Sequence, residues 1–84
     1  MFIVYILHSE KHDRTYVGFT NNLERRLREH NSGHSKSTKA YKPWIVIYQE
    51  EVDTRLKARE REKFLKSGIG RDFIKTIRPR SSTE

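Results

Sequence analysis

Tyr5 and Tyr16 stand in two short runs of β-forming residues, Phe2 to Leu7 and Thr15 to Phe19, with a polar stretch from His8 to Arg14 between them. An antiparallel hairpin of those runs brings the two rings onto one face; the plainer reading is two core aromatics with their hydroxyls at the rim. Gly18, two residues after Tyr16, marks either a bulge or a close approach by another group, a phosphate or the first helix. Arg26 and His30 are four apart and share a helix face. Beside the apolar stripe of Leu23 and Leu27, the guanidinium fork can grip phosphate oxygens and the imidazole can add a donor or move a proton. Alternatively, Arg25, Arg26 and Arg28 form a solvated basic cluster. Glu62 has Ala58, Leu65 and Ile69 on its side of a helix, so its carboxylate either holds a metal or pairs with Lys66 one turn on. Glu60, between Leu56 and Phe64, is placed in a similar way, and periodicity does not choose between them. His8 and His12 share a turn that offers no third metal ligand.

The elements that must position these groups follow from the chain order. The apolar run Phe2 to Leu7 is too short for a buried helix and reads as a strand covered on both faces. Thr15 to Phe19 is its antiparallel partner across a short connection. Asn21 is placed to cap a helix, with Glu24 as the reciprocal partner, and Asn31 and Gly33 offer its stop. A basic, hydroxyl-rich loop from Ser32 to Lys42 leads to Pro43 and a third strand, Trp44 to Tyr48. Asp53 or Thr54 caps a second helix running to about Ser67. Gly68 and Gly70 interrupt it, and Arg71 to Ile77 reads as a short third helix. The expected fold class is α+β: a small three-stranded antiparallel sheet flanked by helices, in the order β-β-α-β-α-α. Residues 1–78 are expected to form one domain and 79–84 a frayed tail.

Eighty-four residues bound the chain to one thin core, yet four tyrosines, four phenylalanines and a tryptophan supply large rings to fill it. No cysteine is present, which removes disulfides, thiolate metal sites and thiol nucleophiles and suits a reducing cytoplasm. No stretch approaches the ~20 apolar residues of a membrane helix, and the N-terminus reads as a strand and not as a signal peptide. A net charge of +7 and a pI near 10.0 attract polyanions, nucleic acid first among them. Positive charge used only for solubility is the bland alternative.

Taken together, the motifs resemble the GIY-YIG nuclease family. Ile3-Val4-Tyr5 and Tyr16-Val17-Gly18 are similar to its two tripeptides, with ten residues between the tyrosines. Leu23-Glu24-Arg25-Arg26-Leu27-Arg28-Glu29-His30 is similar to the helix signature, matching at Arg26, Leu27 and His30. Glu60-Arg61-Glu62-Lys63-Phe64-Leu65-Lys66 resembles the helix that carries the family's metal-binding glutamate, and that alignment selects Glu62 over Glu60. Chain length and Glu29-His30-Asn31-Ser32-Gly33 further resemble a small stand-alone bacterial branch. The departures are Ile3 for glycine, Val17 for isoleucine, and the lack of any asparagine after Asn31, where several family nucleases carry one near the site.

The resemblance implies a metal-dependent endonuclease acting on phosphodiester bonds, structure-selective or weakly specific, in DNA repair or processing. It implies Mg²⁺ or Mn²⁺ on Glu62, Arg26 on the phosphate, Tyr5 or Tyr16 on the attacking water, and His30 assisting; the residues do not divide base duty between the tyrosines. DNA or RNA is the expected partner, with a protein partner for specificity conceivable and oligomeric state open. Lys36, Lys39 and Lys42 in the loop, and Arg71, Lys75 and Arg78 near the end, are expected to track the nucleic-acid backbone without reading bases. A non-catalytic nucleic-acid-binding module on the same fold is the alternative.

Overall fold

β1, Phe2–Ser9, forms because its side chains are apolar on both faces, and Val4 to Leu7 are all but solvent-free. In a computed structural model describing residues 1–34 and 36–78, this strand is the centre of a three-stranded antiparallel sheet of order β2-β1-β3. β2 is Thr15–Thr20 and β3 is Trp44–Val52. The helices are α1, Leu23–Ser32; a four-residue α2, Lys36–Lys39; α3, Arg55–Lys66; and α4, Gly68–Ile77. The expected order holds, with α2 added inside what the sequence presented as loop.

Alternation along β1 divides the core in two. Val4 and Ile6 join Val17, Ala58, Leu65 and Ile74, which places α3 and α4 on one face of the sheet. Tyr5 and Leu7 join Trp44, with Tyr16, Leu23, Leu27 and Tyr41 packed against them, which places α1 on the other. The β1–β2 register runs unbroken through Tyr5↔Gly18, so Gly18 marks no bulge. The irregularity lies opposite, where Ile6 pairs with Tyr48 and Leu7 with Val46. The extra residue, Ile47, packs with Tyr48 toward α3 and α4.

Four local expectations need correction. α1 is capped by Asn22 and not Asn21, because β2 continues to Thr20 and leaves Asn21 as the turn residue. The Asn22 side chain accepts from the Arg25 amide, so Glu24 is not in the reciprocal position of a capping box. β3 runs on to Val52, since an outer strand tolerates Gln49, Glu50 and Glu51. The break between the last helices is at Ser67, which closes α3 and caps α4, whose first turn contains Gly68 and Gly70. Ile69 therefore lies outside Glu62's helix and is 70% exposed. Of the two proposed caps for α3, Thr54 is used. The expected tail, 79–84, lies outside the described residues.

Gly70 explains the tight elbow: a Cβ there would collide with the backbone of Phe64 and Leu65. On the same face of the sheet, Arg61 of α3 clamps β3 through Glu50, with Nε donating to Oε2 at 2.7 Å and Nη2 to Oε1 at 3.1 Å.

Candidate active site

Tyr5 is 1% exposed, and its hydroxyl lies 3.2 Å from His30 Nε2. The charge of Arg26, one helical turn before His30, also acts on that hydroxyl. His30, itself buried, is held from behind by Thr38 Oγ1, 2.8 Å from Nδ1. The phenol and the imidazole Nε2 share one proton across this bond. Burial holds His30 below its ordinary pKa, and the charge of Arg26 pushes the same way. Burial pushes Tyr5 up, Arg26 pulls it back, and the charges of Tyr16 and Glu62 add to the rise.

Tyr16 is half-buried, its ring 6.3 Å from that of Tyr5 and 4.8 Å from His30, centroid to centroid. Gly18 belongs to this cluster through space: an added Cβ would stand 2.8 Å from the Tyr5 hydroxyl and 3.1 Å from the Tyr16 ring. The close approach read from the sequence is therefore made by the two tyrosines.

Glu62 arrives from the α3 side. Its charge acts on the Tyr5 hydroxyl, but its hydrogen bond is from Lys66 Nζ, at 3.0 Å, with the Glu62 side chain 22% exposed. Tyr5, Tyr16, Arg26 and His30 thus meet by contact, and Glu62 joins them by its field. Glu60 is exposed. Among the described residues no group of three or more His, Asp or Glu side chains could hold a metal ion. A single half-buried carboxylate suits Mg²⁺, which keeps several waters and takes one or two carboxylates, and excludes a Zn²⁺-type cage. The His8–His12 pairing dissolves: His8 is buried at the end of β1 and the His12 ring lies edge-on to Tyr41.

The expected phosphate-tracking cations divide between the two faces. Lys36 and Lys39 project from α2, and Lys42 follows, on the α1 side. Arg71 and Lys75 are exposed on α4. Arg78 pairs with Asp13 at 3.7 Å. An open cleft of about 320 Å³ is lined by Thr15, Tyr16, Val17, Leu65, Lys66, Arg71 and Ile74.

Three positioning residues escaped the sequence reading. Glu29 accepts from Arg26 Nη1 at 3.1 Å, an i,i+3 pair that helical spacing does signal. Thr38 carried no signal beyond a hydroxyl-rich stretch. Asn31, read only as a helix stop, locks α1 to β3: its Oδ1 accepts from the Trp44 amide at 2.6 Å and its Nδ2 donates to the Trp44 carbonyl at 3.1 Å.

A UPF0213 protein of Staphylococcus haemolyticus is 35% identical over 83% of this chain and 87% of its own length. A structure-specific endonuclease subunit SLX1 homolog of Giardia intestinalis is 41% identical over 60% of this chain, a region that makes up 15% of that protein. The solution NMR structure of a UPF0213 protein from Bacillus halodurans superposes with a TM-score of 0.53 at 26% identity, covering 93% of this chain and 86% of that one. The profile of the GIY-YIG catalytic domain matches residues 1–71. With the tyrosine pair, the arginine and histidine of α1 and the glutamate of α3 in its matched segment, the chain belongs to the GIY-YIG family.

Proposed function

We propose that this protein is a divalent-metal-dependent endonuclease that cleaves phosphodiester bonds in DNA, or RNA, selecting structure more than sequence, in DNA repair or processing in the cytoplasm. The observation that carries this reading is the hydrogen-bonded chain from Tyr5 through His30 to Thr38, with Arg26 one turn before His30 on α1. Phosphodiester cleavage needs charge neutralised on non-bridging oxygens, a water activated, and a departing alkoxide stabilised. Mg²⁺ or Mn²⁺, when held by Glu62, supplies charge neutralisation at the phosphate and leaving oxygen.

The chain's own residues supply the rest. Arg26 uses one of its five N–H donors on Glu29, and turns others to a phosphate oxygen. Solvent access divides the tyrosines: Tyr5 is sealed, whereas Tyr16 is half-buried and lines an open cleft. Tyr16 therefore orients or deprotonates the attacking water, and Tyr5 positions Arg26 and His30 behind it. The structure-specific activity in the name of the Giardia relative, and a net charge of +7 that binds phosphates without reading bases, support structural selectivity.

The test is a nuclease assay over single-stranded, duplex, nicked and branched DNA plus RNA, with Mg²⁺, Mn²⁺ or a chelator, comparing wild type with Glu62→Ala. Metal-dependent cleavage that disappears in the variant is expected. Cleavage that survives both chelation and the substitution overturns the Glu62 site. The Glu62–Lys66 ion pair favours one competing reading, a binding module without turnover; salt-sensitive binding with no cleavage of any substrate would establish it.

A further inference from the structure

The cleft beside Tyr16 is not explained by holding a phosphate alone. Thr15, Tyr16 and Val17 are consecutive, and consecutive strand residues point to opposite faces, so a cleft lined by all three runs along the outer edge of β2. Its other wall is the α3–α4 elbow, with Leu65 and Ile74 as an apolar floor. Two cations, Lys66 and Arg71, stand among its walls. Lys66 is also the hydrogen-bond partner of Glu62, so the cleft opens one side chain from the Glu62 carboxylate. A volume near 320 Å³ falls at the small end of the range for small-molecule pockets.

An apolar floor and two cations, with Tyr16 at the strand edge beside them, match the chemistry of one unstacked nucleotide: a base against the apolar wall, its phosphate between the cations. β2 is an outer strand, so its outer row of backbone N–H and C=O groups has no strand partner among the described residues and can meet the edge of a base. A base within a duplex is stacked and paired and enters such a cleft only after extrusion.

We propose that the cleft between β2 and the α3–α4 elbow seats the nucleotide next to the cleaved phosphate in single-stranded form, with Arg71 and Lys66 on its phosphate. The substrate class is then DNA with a single-stranded segment at the cut, such as a flap or a branch. This proposal rests on the nuclease reading for its orientation, but its test uses binding alone.

The experiment titrates a fluorescent ten-nucleotide single strand, a flapped duplex and a blunt duplex of the same length into Glu62→Ala protein, without metal, at one fixed salt concentration. The single strand and the flap are expected to bind about tenfold tighter than the blunt duplex. Arg71→Ala should remove most of that preference, and Thr15→Tyr, which fills the cleft from its rim, should do the same with Arg71 intact. An abasic site at one position of the single strand should weaken binding, which a purely electrostatic groove would not show. Equal affinity for the three ligands, or equal weakening of all three by Arg71→Ala, overturns the proposal. Single-strand preference in a wild-type protein that cleaves nothing would instead remove the nuclease reading and leave the cleft assignment standing.

Discussion

The Tyr5 hydroxyl holds the buried imidazole of His30 at 3.2 Å, so removing it strands that partner. Tyr5→Phe should lower stability by about 1–3 kcal/mol, the cost of leaving buried polar groups unpaired, and lower cleavage as well. Tyr16→Phe should leave thermal unfolding within about 0.5 kcal/mol and lower kcat by roughly 10²–10⁴. Urea melts beside single-turnover rates check the division of labour; a large stability loss in Tyr16→Phe alone would reverse it. Gly18→Ala places a methyl 2.8 Å from the same hydroxyl. Overpacking of this kind costs about 1–3 kcal/mol, and the displaced phenol should cost activity beyond what the shift in Tm explains. The imidazole gives a pH signature. Burial first, then Arg26, lowers the His30 pKa in the folded state, so the unfolded chain takes up its proton at a higher pH than the folded chain does. The stability this contributes is present above the ordinary histidine value of about 6.5 and is lost as pH falls from there through the folded value. Thermal melts between neutrality and about pH 5 should show this decline, and His30→Gln should flatten it.

Among the elements, the joints between α1 and β3 and between α3 and β3 carry the site without touching it. Asn31 satisfies both backbone groups of Trp44, and Trp44 Nε1 donates to the Thr38 carbonyl at 3.0 Å. Asn31→Ala should therefore cost about 1–3 kcal/mol and loosen Thr38 behind His30, measurable as reduced amide protection in α2. The strands, α1 and α3 were legible because apolar runs, Thr54 and Gly33 each declare themselves locally, and Gly33 takes the left-handed φ of 87° that such a stop requires. The Arg26–His30 pairing was legible too, since four-residue spacing is a property of one helix. What stayed hidden depended on distance. The cap moved from Asn21 to Asn22 because β2 ran one residue further than its apolar residues required. Glu50 and Glu51 look unlike strand residues until Arg61, eleven positions on, is seen to bind Glu50. Gly18 reads equally as a bulge or a close approach until the Tyr5 ring is laid over it.

At the scale of the whole molecule, the cations on α2 and those on α4 are carried by opposite layers of a body only 17 Å thick in its shortest direction. A rigid rod of nucleic acid lies along one layer, whereas a strand that bends around the β2 edge meets both. Logarithmic affinity should fall linearly with logarithmic salt. Replacing Lys36 and Lys39 together by Ala should lower that slope by about 0.7–0.9 for each phosphate no longer neutralised, across all sequences alike. An unchanged slope would place these lysines off the binding path. Gly70 has a wider consequence. The angle between α3 and α4 is fixed where main chain meets main chain, at Leu65 and Phe64, and not by interchangeable side chains. Repacking the core therefore cannot widen or narrow the gap beside β2. Nature, or an engineer, wanting a roomier berth would have to lengthen the hinge at Ser67, so changes in what this scaffold accepts should arrive as insertions there rather than as gradual substitution.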